Sequence, residues 1–248
     1  MIIIKSPQEI AIMREGGKIL AKILKKVEKE AKPGVTTKEL DEYAEKLALK
    51  YGSRPSFKGY NNYPSALCVS VNEEVVHGIP SGRKLKEGDI VGLDMGIYYK
   101  GLCTDSAVTV GIGKISSKAE RLIKVTEQAL KYGIDVVKPE AHIGDIGFAI
   151  QSYVESQGFS VVRDLVGHGV GKNVHEAPQI PHFGRKGSGL KLKEGMTIAI
   201  EPMVNAGKYY VHQAKDGWTF VTSDGSLSAH FEHTMAVTKN GHEILTVF

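Results

Sequence analysis

Lys84-Leu85-Lys86-Glu87-Gly88 recurs 107 residues later as Lys191-Leu192-Lys193-Glu194-Gly195. Ten residues after the first Lys of each copy stands a carboxylate, Asp94 and Glu201. Each closes an apolar run, Ile90-Val91-Gly92-Leu93 in one case and Met196-Thr197-Ile198-Ala199-Ile200 in the other. Upstream, Val76-His77-Gly78-Ile79-Pro80 matches Val174-His175-Glu176-Ala177-Pro178. Downstream, a further strand in each half carries a second acid, Asp105 and Glu232. Histidine, pentapeptide, acid and acid thus occur twice in the same order. Two such halves predict a pseudo-two-fold fold in which matching residues meet near the axis.

Around this repeat the chain reads as an ordinary folded protein. Its 248 residues, 42% apolar and 24% charged, suffice for a large core without disulfide or metal staples. No apolar run reaches the roughly 20 residues of a membrane span. The opening Met1-Ile2-Ile3-Ile4-Lys5 is short for a signal peptide. Without a secretion signal, Cys68 and Cys103 read as reduced thiols in a cytoplasmic protein. Residues 1–58 carry 13 Lys/Arg against 8 Asp/Glu, and the net charge of the chain is +4. A solvated helix face explains that excess better than contact with RNA or a ribosome.

Capping boxes at Ser6/Glu9 and Thr36/Glu39 start two helices, the first ending at Lys32-Pro33-Gly34 and the second near Gly52. Ser117 and Glu120 are expected to cap a third, and a fourth spans about 144–157. Strands are predicted over 66–76, 89–98, 102–111, 196–204, 209–214, 218–222 and 229–238.

Alternation along those strands puts each acid on a face of small or polar residues. Gly92, Asp94 and Gly96 share one face, as do Cys103, Asp105, Ala107 and Thr109. Thr197, Ala199 and Glu201 do the same, as do Ser228, His230, Glu232 and Thr234. If Tyr98 and Gly101 flank a two-residue hairpin loop, Asp94 and Asp105 stand directly opposed, and like charges so placed need a proton or a cation. The repeat brings Glu201 and Glu232 to the same place. Two divalent cations would balance four carboxylates, and oxygen-rich ligation suits hard or borderline metals. Gly167-His168-Gly169-Val170-Gly171 sets an imidazole in a glycine-rich turn able to reach such a cavity. Tyr60, Tyr63, Cys68 and Trp218 could line an apolar pocket, or be plain core packing. Two other motifs lead nowhere. Gly111-Ile112-Gly113 lacks the third glycine of a dinucleotide loop, and Gly171-Lys172-Asn173 lacks the hydroxyl residue of a phosphate loop.

Taken together, these motifs closely resemble the bacterial-type (type I) methionyl aminopeptidases, over essentially the whole chain from Ser6 to Phe248. The resemblance implies the α+β pita-bread fold, an antiparallel sheet backed by helices with internal pseudo-two-fold symmetry. One catalytic domain over 1–248 is expected, with halves at roughly 66–140 and 141–248 after a helical segment 6–52. The resemblance implies a dinuclear metal centre held by Asp94, Asp105, His168, Glu201 and Glu232, with Asp105 and Glu232 bridging. It implies catalytic roles for Glu201 in proton transfer, His175 at the oxyanion and His77 at the scissile amide. Tyr60, Tyr63, Cys68 and Trp218 would hold the methionine side chain. The implied reaction is hydrolytic removal of the N-terminal methionine from nascent proteins and peptides, favouring a small second residue. Cobalt, manganese, iron(II) or zinc would serve as the metal. A monomer with at most weak ribosome contact is expected, with no membrane or sequence-specific nucleic-acid partner. Val174 stands where the family often has an aromatic, which suggests a more open pocket edge, and Phe57 where it often has a smaller residue. The competing readings are an Xaa-Pro peptidase and a non-catalytic ribosome- or RNA-binding module of the same fold.

Overall fold

A computed structural model describes residues 2–247; Met1 and Phe248, at the ends of the expected domain, lie outside the described residues. Helices α1 (Pro7–Glu30) and α2 (Thr37–Lys50) come first. Strands β1 (Arg54–Pro55), β2 (Cys68–Val71), β3 (Glu74–Val76), β4 (Ile90–Tyr99) and β5 (Leu102–Gly111) follow. Next are α3 (Ser117–Asp135), α4 (Ile143–Ser156), β6 (Ser160–Val161), β7 (Gly167–Gly169), β8 (Glu176–Ile180), β9 (Thr197–Ile200) and β10 (Met203–Asn205). The chain closes with β11 (Val211–Gln213), β12 (Phe220–Thr222), β13 (Ser228–His230), β14 (Glu232–Thr238) and β15 (Gly241–Ile244).

Both predicted capping boxes form. Ser6 Oγ accepts the Glu9 N–H at 3.2 Å while Glu9 Oε2 accepts the Ser6 N–H at 2.8 Å, and Thr36 and Glu39 repeat the pattern. A cap of this kind is worth about 1 kcal/mol. The third helix differs: its cap is Ser116, whose hydroxyl accepts from Ala119, one residue earlier than expected.

The main sheet is antiparallel, with nine strands in the order β1-β4-β5-β14-β9-β7-β8, β2 added on β4 and β15 on β14. The order carries the repeat. β4 and β5 follow the first pentapeptide, β9 and β14 follow the second, and β5 and β14 meet at the centre. The helices obey the same relation. Thr36, the cap of α2, bridges to Lys84, and His142, the cap of α4, bridges to Lys191. The second residue of each pentapeptide is a core anchor. Leu85 lies among Leu20, Ile23, Leu24 and Val27 of α1, and Leu192 among Leu122, Ile146 and Ile150 of α3 and α4. Each such side chain contributes roughly 1.5–3 kcal/mol by leaving water. Gly88 and Gly195 end the two copies at φ 96° and 83°, a left-handed turn that glycine takes without strain. Thus α1 and α2 stand to the first pair of strands as α3 and α4 stand to the second.

Four expectations about the strands need correction. The β4–β5 hairpin turns on Lys100-Gly101, with φ 47° and 84°, so Tyr99 pairs with Leu102. Asp94 therefore faces Ala107 and Asp105 faces Gly96, two residues from the expected register. Positive φ at both loop positions is what the tight hairpin turn demands, and Gly101 belongs inside that loop. A two-residue slip leaves the side-chain faces unchanged. The predicted strand 66–76 is split by a turn at Asn72, where φ is 62°. The predicted strand 196–204 is split at Glu201-Pro202, and that over 229–238 at Phe231. Among the described residues no helix is long and apolar enough to cross a membrane.

Candidate metal centre and substrate cavity

Register across the sheet assembles the acids. Cys68 pairs with Asp94, Asp94 with Ala107 and Ala107 with Glu232. The β14–β9 pairing, His233 with Ile200, puts Glu201 next in line opposite Glu232. One row on one face thus reads Cys68, Asp94, Ala107, Glu232, Glu201. The neighbouring row on that face reads Gly96, Asp105, Thr234, Ala199, His168. Thr234 Oγ1 both accepts the Asp105 N–H and donates to the Asp105 carbonyl, at 2.8 Å each, which fixes that row at the seam of the halves. Glycine, alanine and threonine separate the acids and leave space above the sheet. At Gly96 a Cβ would collide with Ser56 Oγ beside Asp105.

His168 reaches this set from a strand, not from the expected turn. β7 pairs with β9 and β8, and its glycines serve close packing. A Cβ at Gly167 would strike the Ala199 carbonyl oxygen, and one at Gly169 the Ala177 carbonyl oxygen. The Gly169 carbonyl lies 2.9 Å from His168 Nδ1 and accepts its proton, which leaves the Nε2 lone pair available. That Nε2 is 3.4 Å from Glu201 Oε1. One ligand atom each from Asp105, His168 and Glu232 lie within 4.8 Å of one another.

The electrostatics suit cations. Burial, then the neighbouring acids, push Asp94, Glu201 and Glu232 well above the usual carboxylate range. Burial pushes Asp105 up to about 7. Burial also lowers His168 to about 3, so its imidazole is neutral. Asp94 Oδ1, Asp105 Oδ1 and Glu232 Oε1 are buried without a hydrogen-bond partner among the described residues. Orphaned carboxylate oxygens at this depth cost free energy unless a cation or proton meets them. Five oxygen and nitrogen donors of this kind fit divalent metal ions.

The acids form the floor of a cavity of about 730 Å³. Its walls include His77, His175, Tyr60, Tyr63, Cys68 and Trp218, so all the expected metal, catalytic and pocket residues line one space. Tyr63 donates to the Gly78 carbonyl at 2.9 Å and meets Trp218 edge-on at 5.1 Å. Burial pushes the Cys68 thiol well up, so it is an apolar wall rather than a nucleophile. His77 holds φ 60°, a left-handed conformation uncommon outside glycine. Its ring lies edge-on to Phe220, and burial lowers its pKa to about 4. His175 sits at the exposed mouth, its Nδ1 3.1 Å from the Tyr60 hydroxyl and its ring 4.3 Å from that of His168. Phe57 also lines the cavity, whereas Val174 is fully buried behind it with Val170 and Cys103. A more open edge therefore does not follow from Val174.

Two buried histidines escaped the sequence reading of the site. His182 Nε2 accepts the Glu201 N–H at 3.3 Å, and His230 Nε2 lies 3.5 Å from Glu201 Oε2. Alternation puts His230 on the face of Glu232, which is the available signal; for His182 there is none.

Comparison with known proteins agrees with this geometry. Residues 11–239 match the model of metallopeptidase family M24. The chain is 53% identical to methionine aminopeptidase 1 of Bacillus subtilis, over 99% of each chain. It is 51% identical to the methionine aminopeptidase of Clostridium perfringens, over 100% of this chain and 99% of the relative. The crystal structure of methionine aminopeptidase from Thermotoga maritima superposes with a TM-score of 0.98 at 49% identity, covering both chains fully. The prolidase of Pyrococcus horikoshii shares the pita-bread fold alone, with a TM-score of 0.80 at 24% identity over 63% of its length.

Proposed function

This chain belongs to metallopeptidase family M24, and from that premise we propose that it removes the N-terminal methionine from polypeptides by metal-dependent hydrolysis. The observation that carries the reading is the five-donor set on two adjacent rows, opening directly into an aromatic pocket. Asp94, Asp105, His168, Glu201 and Glu232 would hold two divalent ions, with cobalt, manganese, iron(II) and zinc as candidates. Bound there, such ions supply Lewis acidity, which acidifies a water at neutral pH.

The chain's own groups supply the rest. Glu201 lies between His168 and His230, and its carboxyl takes the proton of the attacking water and passes it to the leaving amine. Tyr60 donates its hydroxyl hydrogen to His175 Nδ1, which leaves Nε2–H as the donor for the developing oxyanion. His77, fixed in its left-handed turn, hydrogen-bonds the scissile amide. Tyr60, Tyr63, Cys68, Phe57 and Trp218 enclose the methionine side chain, whose flexible thioether packs well against aromatic edges. We read residues 1–248 as one catalytic unit, a cytoplasmic monomer whose substrates are nascent chain ends and whose ribosome contact is weak.

The test is release of free methionine from Met-Ala-Ser by protein stripped with chelator and then restored with manganese or cobalt. Metal-dependent release from Met-Ala-Ser, and not from Leu-Ala-Ser or an Xaa-Pro peptide, is expected. Preferential Xaa-Pro cleavage would move the substrate to the prolidase side. No cleavage by folded, metal-loaded protein would leave a binding module.

A further inference from the structure

The arm ahead of α1 lies outside the residues matched by the family model, yet it ends on a buried cation. The Lys5 side chain is 1% exposed and that of its partner Glu176 is 3% exposed. Lys5 Nζ donates to Glu176 Oε2 and to the Ile3 carbonyl, the latter at 3.3 Å. The backbone of Lys5 is tied down as well, its N–H donating to the Gly195 carbonyl at 2.8 Å. Two glycines make room for the arm. A Cβ at Gly171 would collide with Lys5 Cε, and a Cβ at Gly195 with Ile4 and the Lys5 carbonyl.

A buried ion pair is a poor source of stability, because desolvating both charges offsets most of their attraction. What this pair does secure is geometry. Glu176 follows His175 directly and opens β8. Its second oxygen, Oε1, accepts the Asn173 N–H at 3.0 Å, so one carboxylate clamps both ends of the 173–176 turn. The start of that loop is held separately: Val170 N–H donates to Thr197, and Cys103 N–H to Gly171. His175 itself is exposed at the cavity mouth and has only the Tyr60 hydroxyl as a hydrogen-bond partner among the described residues. His175 is thus flanked by two anchored neighbours, the buried Val174 on one side and Glu176 on the other, and Lys5 is what fixes the Glu176 carboxylate.

We infer that Lys5 is a positioning residue for His175, acting through Glu176, so that the N-terminal arm is part of the catalytic apparatus. The inference rests on the reading that His175 contacts the reacting peptide. Displacing a catalytic group by about 1 Å can cost up to roughly 100-fold in rate. The test measures kcat and KM on Met-Ala-Ser for manganese-loaded full-length Lys5→Met, Glu176→Gln and His175→Ala. Folded fraction is followed by near-ultraviolet circular dichroism, and manganese affinity by calorimetry. Lys5→Met and Glu176→Gln are expected to lose tenfold or more in kcat per folded molecule. Their KM and manganese affinity should stay within threefold of the parent, because the metal-binding rows are not touched. A lower melting temperature with kcat within twofold of the parent would overturn the inference and make the pair a support of the fold alone. So would failure of both variants to fold. If His175→Ala keeps its kcat, the role of His175 is what fails. If His175→Ala loses activity and both pair variants keep it, only the role of Lys5 fails.

Discussion

Replacing Asp105 by asparagine should make the metal-stripped protein more stable at pH 8, although it removes a residue at the heart of the site. Asp105 is 3% exposed, and burial raises its pKa from 3.8 to about 7. A carboxyl that holds its proton more tightly when folded stabilises the fold at low pH. That contribution is complete below about 3.8 and is lost as pH rises through 7. At about 1.4 kcal/mol for each tenfold change in proton affinity, the loss is roughly 4 kcal/mol. For a chain of this length that is about 8–16 °C in melting temperature. Burial and the neighbouring acids push Asp94, Glu201 and Glu232 up as well, so they act in the same direction. Asparagine fills the same volume and cannot ionise. Calorimetry of chelator-stripped parent and Asp105→Asn from pH 4 to 8 checks this. The two should coincide near pH 4 and diverge towards pH 8, with the variant melting higher. Manganese at about 100 times its dissociation constant should then raise the parent by roughly 2.7 kcal/mol and the variant by less. Parallel curves for the two stripped proteins across the whole range would refute the reasoning.

Other consequences are as direct. Asp105→Ala should abolish methionine release while circular dichroism and cooperative melting persist; full activity would remove Asp105 from the proposed ligand set. Tyr60→Phe loses the hydroxyl that fixes the His175 tautomer and should lower kcat about tenfold with little change in KM, as steady-state kinetics on Met-Ala-Ser would read. Trp218→Ala opens the pocket beside Tyr63 and should raise KM for methionyl peptides several-fold while leaving melting within a few degrees. Gly169→Ala drives a Cβ into the Ala177 carbonyl and should cost about 1–3 kcal/mol of stability by denaturant unfolding, with weaker metal binding because His168 is its neighbour.

The parts of this fold that could be read from sequence are those set by local rules. Ser6/Glu9 and Thr36/Glu39 start helices through contacts three residues apart, and the strand 102–111 was read to its ends. The faces of Asp94 and Asp105 were right although their register was not, because a slip of two preserves the face. The twin pentapeptides carried the symmetry, since equal spacing to an acid needs no knowledge of tertiary contacts. What could not be read depends on distant chain. Glycines at 167 and 169 look like a turn until the strands that crowd them are known. His182 meets Glu201 only because β8 and β9 flank β7. The Lys5–Glu176 pair spans 171 residues and has no local signature.

The seam between β5 and β14 has a consequence of its own. Asp94 and Asp105 precede α3, and His168, Glu201 and Glu232 follow it; Ile90 aside, one buried apolar cluster is built from α3 and the chain after it, and another from α1 to Ile112. The molecule is built like a two-subunit enzyme whose subunits were fused end to end, with the reaction centre at the subunit boundary. Neither portion alone holds a complete donor set. The same chain cut in the exposed segment between β5 and α3 would yield two inert pieces, and catalysis would report their reunion.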